Sequence, residues 1–444
     1  MSALELATLP SFVSLLNASR PQRVGEVESV VGLSVRVRGL QCSVGEVVLV
    51  GDDPGVPAEV VALDAGIASC MPLDNLDGLR VGSPVRGTGL PATVPVGPAL
   101  LGRVIDAAGR PLDGKGPIYA ADRVPIHGAA PNALERARID MPVAMGVRVL
   151  DTLVTLGRGQ RIGLFAGSGV GKSTLMSMIA RGTNAEVCVI ALVGERGREV
   201  REFLEDDLGE EGLSRSVVVV ATSDESPMLR KRAAFTATRV AEYYRDAGRH
   251  VLLMMDSLTR TCMAQREIGL SVGEPPATRG YPPSTFSMMA QLLERAGSGA
   301  IGSVTGIYTV LVDGDDHNEP IADQARSILD GHVVLDRKLA VAGHYPAIDA
   351  LGSISRVASK VTTREQREAA TALRQIMGAK RSVQDLLDVG AYQAGTNPEV
   401  DTAVKYDAEI EAFLTQKTDE KVEFDAAWSQ LFDLYQAFKS EEVA

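Results

Sequence analysis

Residues 163–174 read GLFAGSGVGKST, a glycine-rich turn set between an apolar run and a helix-forming stretch. Glycines at 167, 169 and 171 let successive backbone N–H groups curl around phosphate oxygens, and the helix that follows starts with its positive dipole end at that anion. Gly167, Ser168, Gly169, Val170, Gly171 and Thr174 form the cradle, Lys172 reaches the β- and γ-phosphates, and the Ser173 hydroxyl ligates Mg²⁺. The general pattern has glycine where this chain has Ala166. Alanine fits there if the residue is still leaving the strand at negative φ, where a Cβ costs little.

Two carboxylates extend the same chemistry. The stretch HVLLMMDSLTR delivers Asp256 to the end of an apolar strand, where a Walker B carboxylate holds Mg²⁺. The stretch ALVGERGREV ends another apolar strand in Gly194, Glu195, Arg196 and Arg198. A carboxylate at that strand end polarises a water for in-line attack on the γ-phosphate. On residues alone, a solvated charged loop explains Glu195 and its neighbours equally well.

These residues need an α/β scaffold, and the chain supplies one. Apolar strands RIGLFA, EVCVIALV, SVVVVAT, HVLLMMD and VTGIYTVLV alternate with helical stretches, the pattern of a mainly parallel sheet whose strands require helical crossovers. Upstream, residues 22–92 read as short glycine-punctuated strands, with Leu33, Val35 and Val37 alternating against Ser34, Arg36 and Arg38; this predicts a small β-barrel. A Gly/Pro-rich connector spans Leu90–Ile118. Beyond residue 361 strand patterns cease, and EFDAAWSQLFDLYQAF sets Phe424, Trp428, Leu431, Phe432, Tyr435 and Phe438 on one helical stripe, read as core packing. The expected plan is a segment at 1–21, a barrel at 22–92, a P-loop α/β domain (RecA-like) at 93–361 and a helical domain at 362–444.

Composition narrows the function classes. A 444-residue chain of 45% apolar residues is long enough for two or three cores. Net charge of −12 and 4% aromatic content argue against a nucleic-acid partner, which calls for a basic face or stacking rings. Cys42, Cys70, Cys188 and Cys262 lie far apart without CxxC spacing and read as free thiols of a reducing, cytoplasmic compartment. The amino terminus lacks a secretory pattern, and no apolar run approaches the roughly 20 residues of a membrane span.

Together, GLFAGSGVGKST, GERGREV, MDSLTR…MAQREIGLSVGEPPATRGYPPS, DDHNEPIADQARSILDGHVVLDRKLA and GHYPAIDALGSISRV closely resemble the export ATPases of type III secretion, themselves similar to the catalytic subunit of rotary ATP synthases. The resemblance runs from about residue 22 to the end. It implies ATP with Mg²⁺, Lys172 and Ser173 as phosphate-loop lysine and metal ligand, Asp256 as the Walker B aspartate, and Glu195 as catalytic glutamate. Arg196 and Arg260 would contact the phosphate side. Nothing in spacing singles out Arg356; the resemblance alone assigns it as an arginine finger reaching a neighbouring subunit, which implies a homohexameric ring. Tyr345 in HYPAID would pack on adenine, with Tyr392 in GAYQAG as a second wall.

The same resemblance implies that Gly273–Phe286 faces a central pore and touches a stalk protein. It also implies export chaperones, export substrates and a peripheral station at a membrane export gate, on the cytoplasmic face of the inner membrane. Leu4, Leu6, Leu9, Phe12, Val13, Leu15 and Leu16 form an amphipathic segment interrupted at Pro10, expected to dock a coiled-coil regulatory partner. The wording AGSGVGKS and TRTCMAQREIGLSVGEPPATRGYPPS leans towards the flagellar system over the virulence-type injectisome. A rotary synthase subunit remains as an alternative, although the compact chain and acidic carboxyl-terminal helices fit export better. A transcription-termination helicase would need exposed aromatics near the amino terminus, and residues 22–92 contain no Phe, Tyr or Trp. A non-catalytic nucleotide-binding subunit would lack the catalytic glutamate that Glu195 matches.

Overall fold

The computed structural model describes residues 23–119, 122–312 and 319–442. The expected partner-docking segment at 1–21 lies outside them. Two compact units are present, one running to Ala92 and including Ile268–Glu274, the other comprising Thr93–Glu267 and Pro275–Ala444.

The first unit is a closed six-stranded antiparallel barrel. Its strands are β1 (Arg23–Val31), β2 (Ser34–Arg38), β3 (Glu46–Val50), β4 (Val56–Asp64), β5 (Ile67–Pro72) and β6 (Pro84–Pro91), in spatial order β1-β2-β5-β4-β3-β6. Val35, Val37, Val48, Val50, Val60 and Val85 fill the interior, and β-branched residues suit a pleated wall packed on one face. The alternation holds within β2 but not at its start. Leu33 is exposed and sits with Gly32 (φ +56°) in the tight turn between β1 and β2, while Ser34 turns inward.

The second unit carries a nine-stranded sheet. Its path is built from β7 (Arg103–Asp106), β8 (Arg161–Ala166), β9 (Val187–Glu195), β10 (Ser216–Thr222), β11 (His250–Asp256), β12 (Ser303–Leu311), β13 (Gly331–Leu335) and β14 (Ile354–Ser355). Their order is β14-β13-β8-β12-β11-β9-β10-β7, with Gly297–Ser298 pairing β12 off this path. Every pair from β13 to β7 is parallel, and β14 closes one edge antiparallel. All five apolar strands expected from sequence are present. β7 is the surprise, because it lies inside the stretch read as a connector. RVID is too short to announce itself, and only pairing with β10 makes it a strand.

Helices cover the sheet: α1 (Lys172–Gly182), α2 (Gly197–Glu202), α3 (Pro227–Asp246), α4 (Leu258–Ser271), α5 (Pro283–Glu294) and α6 (Pro320–Ile328). On α3, Glu242 meets Arg295, just past α5, through two hydrogen bonds of 2.7 and 2.8 Å in a fully enclosed ion pair. The carboxyl-terminal region is helical: α7 (Arg364–Ser382), α8 (Pro398–Lys405), α9 (Asp407–Leu414) and α10 (Phe424–Glu442). Trp428, Leu431 and Phe438 of α10 are buried in the main core, with Phe424, Phe432 and Tyr435 packed against it, so the aromatic stripe is a packing face. All four cysteines are unbridged. No helix among the described residues is long and apolar enough to cross a membrane.

Candidate functional site

The glycine-rich turn leaves the carboxyl end of β8, where ligands of open parallel sheets bind. Ala166 is the last strand residue, paired to Leu311 and Leu335 on either side and buried. Its φ is not among the positive ones, so its methyl is accommodated without strain. Gly169 (φ +75°) and Gly171 (φ +87°) adopt the left-handed conformation that a side chain resists. A Cβ built on Gly169 would meet nothing within 4 Å, so the turn is open on that side. Gly171 caps α1 without any side-chain hydrogen bond to the first-turn amides. Those amides therefore remain free for an anion.

Lys172, the first residue of α1, is brought against two carboxylates. Its Nζ bonds Asp256 Oδ1 and lies 3.5 Å from Glu195 Oε1. Asp256 ends β11 and Glu195 ends β9, and the two strands are adjacent in the sheet. Thus residues 84 positions apart meet because parallel strands finish at one edge. Burial pushes the Glu195 carboxyl above its ordinary 4.5, aided by Asp256 and a hydrogen bond shared with Glu199, while Lys172 and Arg260 pull it down. A half-buried carboxyl with raised proton affinity beside an ammonium is a setting found at functional sites.

Gly194 explains how Arg260 joins them. Its φ of +74° and the register shift after Val193 bulge β9 at this point. A Cβ there would press on the Arg260 side chain at 3.1 Å. Arg196, by contrast, is exposed and pairs with Glu199 at 2.8 Å; it is not drawn to Lys172. Tyr345 packs its ring over the turn, 3.3 Å from where a Gly171 Cβ would stand, with 43% of its surface exposed. Ser173 and Thr174 follow Lys172 in the first turn of α1.

Two expected residues are not assembled with this group. The Tyr392 hydroxyl donates to Asp401 Oδ1 on α8 at 3.0 Å. What reaches Tyr345 from the helical region is Gln416, whose backbone N–H donates to the Tyr345 carbonyl at 2.9 Å. Arg356 is exposed, its guanidinium donating to the Arg326 carbonyl at 3.2 Å. Among the described residues, no hydrogen bond or ion pair joins it to Lys172 of its own chain.

Sequence reasoning also passed over Arg337, which donates to the Ser168 carbonyl of the turn at 3.5 Å. It missed Thr309 on β12, whose hydroxyl donates to Asp256 Oδ1 at 2.8 Å. A threonine inside an apolar strand carries no local signal; its significance comes from the neighbouring strand. In the stretch Gly273–Phe286, Ala277–Arg279 are exposed while Tyr281 is buried under the Arg266 guanidinium.

Donor chemistry fits a nucleoside triphosphate with Mg²⁺. The open glycine turn and uncapped amides suit phosphate, Lys172 adds a cation, and Ser173 with Asp256 offers hard oxygen ligands. Among the described residues no group of three or more His, Cys, Asp or Glu side chains could hold a metal ion.

Comparison with known proteins places the chain in a family. Residues 27–89 match the beta-barrel domain of the ATP synthase alpha/beta family, residues 146–355 match its nucleotide-binding domain, and residues 362–433 match the T3SS EscN ATPase C-terminal domain. The flagellum-specific ATP synthase of Treponema pallidum (strain Nichols) is 52% identical over 425 residues, covering 95% of each chain. The type 3 secretion system ATPase of Xanthomonas euvesicatoria is 50% identical, covering 90% of this chain and 91% of its own. Among solved structures, the assembled ATPase EscN in complex with its central stalk EscO, from enteropathogenic E. coli, superposes with a TM-score of 0.86 at 43% identity, over 92% of this chain and 99% of that one.

Proposed function

We propose that this chain, which belongs to the family of flagellum-specific ATP synthases and type 3 secretion system ATPases, hydrolyses ATP to energise type III protein export and serves the flagellar system. The observation that carries the chemistry is the convergence of Lys172, Glu195 and Asp256 at one sheet edge beside an open phosphate turn.

The turn's amides and Lys172 bind the phosphates, and Lys172 exchanges its carboxylate partners for the β- and γ-oxygens. Glu195 orients and deprotonates the attacking water. Arg260, held against Gly194, adds positive charge on the γ-phosphate side, with Arg196 just before α2. Tyr345 packs on the base. Ser173 and Asp256 would hold Mg²⁺, which would supply charge neutralisation across the phosphates. Arg356, exposed on the surface of its own chain, completes a neighbour's site in a homohexameric ring. A trans arginine contributes roughly 10³–10⁵ in rate in related phosphoryl transfers.

A ring in turn admits a central stalk, as in the EscN–EscO complex, with Gly273–Phe286 as the contact. Export chaperones and substrates, and a coiled-coil regulator on residues 1–21, complete the proposed partners. The protein works at the cytoplasmic face of the membrane, peripheral to the export gate. The similarity to the Xanthomonas ATPase keeps the injectisome as the second reading. Replacing Lys172 by Ala in the source organism tests both. Loss of secreted flagellin and of swimming supports the flagellar assignment; intact swimming with lost effector secretion overturns it.

A further inference from the structure

Asp256 has two partners, and both use the same oxygen. Lys172 Nζ and the Thr309 hydroxyl each donate to Oδ1. No hydrogen bond among the described residues reaches Oδ2. The two partners differ physically. Lys172 sits at the end of a flexible four-carbon stem, and phosphate competes for its ammonium. Thr309 is held in β12, the central strand between β8 and β11. The parallel register that pairs Leu164 with Thr309 and Met255 with Tyr308 brings the next residue of β11, Asp256, beside it. Thr309 is fully enclosed and Asp256 nearly so, and a β-branched side chain in a strand has little χ1 freedom. The hydroxyl is therefore fixed before any ligand arrives.

We propose that Thr309 is a positioning residue for the metal site: its hydroxyl pins Asp256 Oδ1 once Lys172 has turned to phosphate, leaving Oδ2 oriented for Mg²⁺ or its bound water. This rests on the reading of Asp256 as the metal carboxylate. Without the hydroxyl, Asp256 would lose its only strand-held donor, and an enclosed carboxylate with an unfilled oxygen reorients towards whatever donor remains. Lys172 is the donor that remains, so the lysine and the metal would compete for one carboxylate. Partners one shell away from a metal typically set its affinity by 10- to 100-fold.

The test measures metal binding without turnover. Mn²⁺ titration of the full chain with ADP, followed by electron paramagnetic resonance, is compared with ADP affinity in EDTA. Thr309→Val and the smaller Thr309→Ala are expected to weaken Mn²⁺ binding about 10- to 100-fold while ADP affinity in EDTA stays at the wild-type value. Thr309→Ser, which keeps the hydroxyl, is expected to restore Mn²⁺ binding to within about threefold. Asp256→Asn must also lose the metal. If Asp256→Asn binds Mn²⁺ normally, the reading of Asp256 fails and the proposal falls with it. If Asp256→Asn loses Mn²⁺ but Thr309→Val and Thr309→Ala retain it, positioning by Thr309 is overturned and the reading of Asp256 stands. Equal losses in the Val and Ser variants, or a parallel loss of ADP affinity in EDTA, would assign the effect to packing and overturn the proposal.

Discussion

Glu195 is held in a setting that favours function over stability. Burial raises its proton affinity above the ordinary 4.5, so the folded state binds this proton more tightly than the unfolded chain. Stability then falls as pH rises through the window from 4.5 to the raised value, and above that window the ionised side chain weakens the fold. Glu195→Gln is therefore expected to raise the melting temperature of the nucleotide-free protein at pH 7.5, with the gain shrinking as pH falls towards the ordinary 4.5. The same variant should retain ATP binding while turnover falls at least about 10²-fold. Calorimetry and phosphate release check the two halves; an unchanged turnover would give the water-positioning role to another group. The residues around Lys172 were legible because their chemistry depends on residue type at fixed spacing. The hydrogen bond from Tyr392 to Asp401 was not legible, because an aromatic near the carboxyl terminus gives no sign of which acceptor takes its hydroxyl.

Among the elements, the β8–turn–α1 unit separates a tolerated departure from a required glycine. Ala166 lies in the strand and Gly171 in the left-handed region beneath Tyr345. Ala166→Gly should leave nucleotide affinity within about twofold. Gly171→Ala should lower it by about tenfold or more, because its methyl meets both backbone strain and the Tyr345 ring. Equilibrium binding of a fluorescent ATP analogue measures both. A second device lies away from the site, in the ion pair joining Glu242 of α3 to Arg295. Glu242→Ala leaves an enclosed guanidinium without its carboxylate and should cost about 3–5 kcal/mol, read by denaturant unfolding. No sequence signal marked that pair, since a glutamate on a helix is ordinarily solvated.

At the scale of the whole molecule, Arg356 decides whether one chain suffices. Its guanidinium is exposed and donates to a carbonyl of its own chain; on the proposed trans role, a monomer would lack an arginine at the γ-phosphate. ATPase activity per chain should rise with protein concentration as rings form. Arg356→Ala should flatten that rise and lower the plateau by roughly 10³-fold, with size-exclusion chromatography run in parallel. A monomer as active as the ring would remove Arg356 from the mechanism.

By itself the sequence determined the class of chemistry and the order of elements. GLFAGSGVGKST specifies a phosphate turn through backbone conformations that only glycine adopts freely, and strands buried on both faces write near-continuous apolar runs. The three-dimensional arrangement decided which residues meet. Lys172, Glu195, Asp256 and Thr309 lie on four separate stretches of chain, and a parallel sheet brings them together because its strands end at a common edge. Sheet order and register set that edge. They are non-local properties, fixed by pairing between distant segments, and no local pattern of residue types encodes them.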